Sequence, residues 1–152
     1  GFVHGDFQHL LFNMVTLYFF GRLIENFINQ QIGEFGFVLF YVTALIVSIL
    51  PSWLRHRHDP NYRSLGASGA VSAVLFAFIL LQPWSMIIVF VLPVPAILYA
   101  VFYIGYSLYM QKLGQDNINH SAHLWGAVYG MTFIIAMQPR VLTHFLSQLG
   151  LG

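Results

Sequence analysis

Ser68 stands in the run Gly66-Ala67-Ser68-Gly69-Ala70, where a polar loop meets an apolar stretch. A serine at that junction lies at the first turn of a helix, whose amides have no partner within the helix and whose dipole favours negative charge. The position therefore offers a nucleophile and part of an oxyanion site together. The small neighbours allow another chain to approach the hydroxyl, although small residues also serve ordinary packing between membrane helices. The α/β-hydrolase elbow requires glycine two residues after its serine; Ala70 occupies that position, so the run is not that elbow. Further along, Ala122-His123-Leu124-Trp125-Gly126-Ala127-Val128-Tyr129-Gly130 puts His123, Gly126 and Gly130 on one helical stripe. The glycine pair lets two backbones approach closely. If the partner is the helix starting near Ser68, His123 can serve as its general base; otherwise it is a polar residue satisfied in a packing seam. His9 and Asn13, four residues apart on one face with His4 ahead of them, can donate to an oxyanion or act as interhelical hydrogen-bond glue.

These side chains must be held by the rest of the chain, and its composition limits how. With 58% hydrophobic and only 7% charged residues and a mean hydropathy of +0.72, the chain has too little polar surface to cover a soluble globule. The charged residues divide it into long uncharged stretches that must satisfy their own backbone hydrogen bonds in lipid, so helices are expected. The apolar runs and breakers predict helices from about Phe7 to Ile28, Phe35 to Leu54, Gly66 to near Gln82-Pro83, Pro95 to Gln111 and Ala122 to Met137. Between them lie a turn at Asn29–Glu34 and polar loops at Arg55–Ser64 and Lys112–His120, which makes His120 a loop residue. Trp84–Leu92 is too short to span and is expected at the interface, and Arg140–Gly152 along the surface. The fold class expected is an all-α polytopic membrane protein with five transmembrane helices, and residues 1–152 form one domain.

The three constellations together resemble the rhomboid family of intramembrane serine proteases. The family's Gly-x-Ser-Gly turn matches Gly66-Ala67-Ser68-Gly69, and its later Ala-His-x-x-Gly-x-x-x-Gly helix matches Ala122-His123 through Gly126 to Gly130. Its upstream His-x-x-x-Asn pair matches His9 and Asn13, its further histidine matches His4, and Gly21-Arg22-Leu23-Ile24-Glu25 is also similar to the family. The resemblance implies a serine endopeptidase that cleaves transmembrane segments of membrane proteins. Ser68 is then the nucleophile and His123 the base and later the acid. His9, Asn13 and the Ser68 amide stabilise the oxyanion, with Gly66 and Ala67 beside the substrate and His4, Gly69, Gly126 and Gly130 in support. No carboxylate lies between Asp59 and Asp116, which agrees with a dyad rather than a triad. The helix near 95–111 and the loop Leu113–Asn119 become the lateral gate and cap. Some family members carry an aromatic residue one turn after the serine, on which the histidine rests; here Ser72 stands there. The family core has six spans and this chain starts just before the second, so the sequence reads as lacking the first span and is expected to label weakly with serine probes when expressed alone. A multi-pass location in a bacterial inner or plasma membrane is expected.

Two other function classes compete. An inactive rhomboid-like protein that binds membrane clients usually lacks the serine or the histidine, and both are present. A transporter would use His4, His9, His56, His58, His120 and His123, of which His56-Arg57-His58 is the best ligand pair, disfavoured by its arginines. No cysteine, no His-Glu-x-x-His and no aspartate within a span exist for thiol, zinc or aspartyl chemistry. A net charge of +1 without a long basic run gives little support to nucleic-acid binding. No metal and no cofactor is expected, and the partners are the lipid bilayer and transmembrane substrates.

Overall fold

The first helix, α1 (Phe7–Ile32), runs through the expected turn at Asn29. Its breaker is Gly33, whose φ of +93° only glycine adopts readily. Asn29 stays within α1, and its Oδ1 accepts the Phe37 amide at 2.9 Å near the start of the next helix. This is a computed structural model, and it describes residues 7–60, 62, 66–89, 91–114 and 118–151. The buried residues of α1 are Asn13, Gly21, Ile24 and Ile28, one inward stripe.

In α2 (Gly36–His56), Gly36, Phe40, Ala44, Ser48 and Ser52 are buried at every fourth position, while Val38, Leu39, Val42, Ile46, Leu50 and Trp53 point outward. Mostly small residues on the inner stripe let α2 lie close to its neighbours. The centre is α3 (Ser68–Leu81), whose residues from Gly69 to Leu80 are all buried. A helix apolar all round is stable only when surrounded, and α1, α2 and α5 pack around this one. Among the described residues α2 is the one helix both long and apolar enough to cross a membrane on length and composition, α3 being apolar but only 14 residues long. Polar groups in α1, α4 and α5 lower their hydropathy, and some of these, among them His9, Asn13 and His123, lie at the site described below.

The described chain is mostly helical, as expected, and departs from all-α only after Pro83. Strands β1 (Met86–Val89) and β2 (Leu92–Pro95) form an antiparallel hairpin in which Ile87 faces Val94 and Val89 faces Leu92. The segment is rich in β-branched residues, and Pro93 and Pro95 deny it a helix. In a two-stranded sheet both strands are edges, where proline is tolerated. Then α4 (Ala96–Leu113) stops at left-handed Gly114, and α5 (His120–Met137) follows. The surface tail is a helix as well, α6 (Arg140–Gln148), opened by Pro139. Its Gln148 carbonyl accepts the Trp84 indole N–H at 2.7 Å, so α6 and the hairpin lie together at one end of the bundle. The amino ends of α1, α3 and α5 meet at the other end, joined by the contacts of Ser68 with His123 and Gly66 with His9.

Candidate functional site

Three glycines set the distance between the two central helices. A Cβ on Gly126 would fall 2.8 Å from the carbonyl carbon of Gly69, and one on Gly130 would fall 2.7 Å from that of Ala73. A Cβ on Gly69 would in turn meet Ser48 of α2, 2.6 Å from its Cβ. Thus α3 lies backbone against backbone on α5, with the Ser48 side chain of α2 packed behind it. Ser68 immediately precedes one of these contact points and His123 lies one turn before the other. The result is a hydrogen bond of 2.8 Å between Ser68 Oγ and His123 Nε2. With the proton on Nδ1, Nε2 accepts from the hydroxyl, the arrangement a general base requires. Both residues are half-buried.

Two aromatic rings border the imidazole. Tyr103 of α4 lies against it with ring centroids 6.0 Å apart and planes 25° from parallel. His120 meets it edge-on at 5.8 Å, and Tyr106 in turn meets His120 at 5.7 Å. The hydroxyls of Tyr103 and Ser72 share a hydrogen bond of 2.6 Å. So Ser72 supplies no ring from α3, and an aromatic face arrives from α4 instead. His120, expected in a loop, is the first residue of α5 and is buried. The reason is its neighbour: Asn119 caps the helix, its Oδ1 accepting the Ala122 amide at 3.0 Å and the Ser52 hydroxyl at 2.9 Å. That cap ties the histidine-bearing helix to the end of α2.

On the opposite side of Ser68, Gly66 has φ +103°, a left-handed conformation that only glycine holds without strain. A Cβ there would sit 2.7 Å from His9 Cε1 and 3.2 Å from its Nε2. His9 therefore lies against the turn that leads into Ser68. Asn13, one turn along α1, is buried on the same inward stripe. Ala67 is buried at the N-cap of α3, and the first backbone bond into that helix runs from the Val71 amide to the Ala67 carbonyl. The amides of Ser68, Gly69 and Ala70 thus occupy first-turn positions that the helix does not satisfy internally. Gly130 lies two turns beyond His123 and serves the seam only. His4 falls outside the described residues.

Sequence reasoning missed Tyr103, Ser48, Ser52 and Asn119. The repeat of Tyr99, Tyr103 and Tyr106 along one face of α4 was a usable signal for the first; the other three look like ordinary small or polar helix residues. The histidines of the Arg55–His58 stretch have other engagements: His56 stacks on Tyr62 at 4.0 Å, and His58 Nε2 accepts from Arg57 Nε.

A comparison with protein families decides the kinship: the model of the rhomboid domain matches residues 1–140. The chain belongs to the rhomboid family. Among curated relatives, RHOMBOID-like protein 12, mitochondrial, of Arabidopsis thaliana is 36% identical over 141 residues, covering 83% of this chain and 41% of that protein. Rhomboid-like protein 11, chloroplastic, of the same plant is 32% identical, covering 88% of this chain and 49% of that protein. Rhomboid protein 1, mitochondrial, of Saccharomyces cerevisiae is 31% identical, covering 87% of this chain and 38% of that protein. The chain therefore spans less than half the length of these relatives. No solved structure matches it. Rhomboid proteins are integral to membranes and are in general intramembrane serine proteases that act on membrane proteins.

Proposed function

We propose that this rhomboid chain is an intramembrane serine endopeptidase that works through a dyad of Ser68 and His123. The observation that carries the reading is their 2.8 Å hydrogen bond, made at the half-buried end of a closely packed helix seam. His123 Nε2 takes the Ser68 proton as Oγ attacks the scissile carbonyl carbon. The carbonyl oxygen then becomes an oxyanion beside the first-turn amide of Ser68, with His9 and Asn13 as further donors. As the tetrahedral intermediate collapses, His123 returns the proton to the leaving amine. A water, deprotonated by the same ring, then releases the acyl group and restores the serine. Contacts of Tyr103 and His120 with the ring support an orientation that does not rely on a carboxylate.

The substrate class follows from the surroundings. Large apolar side chains face outward on α1, α2 and α4, among them Phe19, Ile46 and Phe102. Such a surface suits lipid on all sides, which supports α1 to α5 as five spans of one membrane protease domain covering residues 1–152. The Gly66–Ser68 turn would then lie shallow in the bilayer, within reach of a transmembrane segment that unwinds near its end. In α4 only Ala96, Ala100 and Ser107 are buried, which fits a helix that moves aside as a lateral gate; the expected cap, the loop Leu113–Asn119, falls partly outside the described residues. The mitochondrial and chloroplastic names of the relatives give no support to a bacterial inner membrane, so only a multi-pass membrane location is retained.

The test is chemical. Treatment of the membrane-embedded protein with a fluorophosphonate, followed by peptide mass spectrometry, should locate the adduct on Ser68 and find none in Ser68→Ala. An adduct on another serine, or none in the wild type under conditions where it is folded, removes the reading. A non-catalytic, client-binding rhomboid would give that second result.

A further inference from the structure

The ring that lies along His123 is delivered by α4, and its hydroxyl is bonded to Ser72 on α3. Tyr103 thus touches two helices at once. Its hydroxyl is fixed one turn below the nucleophile, and its face rests on the imidazole that Ser68 bonds. A histidine side chain has two rotatable bonds, and holding Nε2 toward Ser68 requires that the alternatives be blocked. His120 stands edge-on on another side of the ring, and it is in turn met by Tyr106, three residues after Tyr103 on the same face of α4. Two tyrosines of one helix therefore border the histidine directly and through its neighbour.

We infer that Tyr103, anchored by its hydrogen bond to Ser72, is a positioning residue for His123, so that the dyad is aligned only while α4 is seated against α3. The inference rests on the reading of Ser68 and His123 as a catalytic dyad, and gives that site a dependence on α4. Of the helices that carry or border the dyad, α4 has an outward surface that includes Leu98, Val101, Phe102 and Tyr109 and few buried residues. A displacement of α4 that breaks the Ser72–Tyr103 bond also withdraws the seat of the imidazole. Alignment of the base and the position of this helix are thereby linked by one side chain.

The experiment uses the protein in liposomes with a transmembrane peptide substrate, and compares Ser72→Ala, Tyr103→Phe, their double variant and Tyr103→Leu. Ser72→Ala and Tyr103→Phe each remove the same hydrogen bond, and each should lower kcat by about 3- to 10-fold. The double variant should lose no more than the larger single loss, because the bond can be lost only once. Tyr103→Leu removes the ring as well and should lower kcat by about 100-fold, the usual cost of a misplaced catalytic group. KM should stay within about twofold throughout, since neither residue needs to touch the substrate. A purely structural role would lower the folded fraction and leave kcat per folded molecule unchanged; that outcome overturns the inference, as do additive losses from the two hydroxyl deletions. If Tyr103→Leu does not fold, the two hydroxyl variants still decide the matter. Ser68→Ala separates the two levels: if it still cleaves, the dyad reading itself has failed, whereas a dead Ser68→Ala beside an unaffected Tyr103 series defeats only the positioning role.

Discussion

Replacing Gly126 by alanine adds one methyl group at the point where α3 and α5 touch. That methyl carbon would come 2.8 Å from the Gly69 carbonyl carbon and 3.1 Å from its Cα, and nearer still to the carbonyl oxygen. Ordinary carbon contacts are about 3.5 to 4.0 Å, so the two backbones must part by roughly 1 Å. No rotamer can absorb the clash, because every atom met is main chain. Nor can α3 retreat, since Ser48 of α2 fills the space behind Gly69. The movement therefore falls on α5, which carries His123 one turn away. The 2.8 Å bond to Ser68 would open to about 3.5 Å or more, the limit of a useful hydrogen bond. An error of that size in a catalytic group costs about 100-fold in turnover, while overpacking costs about 1 to 3 kcal/mol of stability. Fluorophosphonate labelling of Ser68 in liposomes, normalised to folded protein from size-exclusion profiles, reads the first effect, and thermal unfolding reads the second. Gly130→Ala is the control: its methyl meets the Ala73 backbone two turns from His123, so it should cost similar stability with a smaller loss of labelling. Wild-type labelling in folded Gly126→Ala refutes the claim that the seam sets the dyad distance.

Gly66→Ala must hold a left-handed turn with a side chain and displace the His9 ring; cleavage should fall at least about 10-fold, and a crystal structure should show His9 moved. His9→Ala should lower kcat by about 100- to 1,000-fold with KM little changed, as expected on removing one oxyanion donor, and Asn13→Ala should be milder because His9 and the Ser68 amide remain. Unchanged kcat in both would assign these residues to packing. Asn119→Ala removes the cap of α5 and the partner of the Ser52 hydroxyl, so it should cost about 1 to 2 kcal/mol in unfolding free energy. Hydrogen exchange at the start of α5 should rise with it.

The candidate dyad is legible in the sequence because it rests on local spacing. Ser68 in its small-residue turn, and His123 one turn before Gly126, could each be placed on a helix by periodicity alone. The glycine pair four apart also marks a close helix seam, but that α3 is the helix it meets is seen only in the structure. What stayed hidden depends on contacts between distant parts of the chain. Tyr103 meets Ser72 across 31 positions and Ser52 meets Asn119 across 67, and no local pattern encodes such a pair. Asn119 looks like a loop residue in sequence, yet it is the cap that brings His120 into α5. The hairpin at 86–95 was missed because an apolar run too short to span was assigned to the interface without weighing its β-branched residues and two prolines. The end of α1 was misplaced because Asn29 looks like a turn residue, yet its side chain is used by the helix that follows.

The central claim is that Ser68 is activated by His123 to cut a peptide bond within the membrane. Its most direct measurement is cleavage of a transmembrane peptide, labelled at both ends and co-reconstituted in liposomes with wild type, Ser68→Ala or His123→Ala, with products identified by mass spectrometry. The wild type should make one or a few defined cuts within or at the border of the transmembrane segment, and neither variant should make any although both insert and fold normally. Cleavage that persists in folded Ser68→Ala or His123→Ala would contradict the claim.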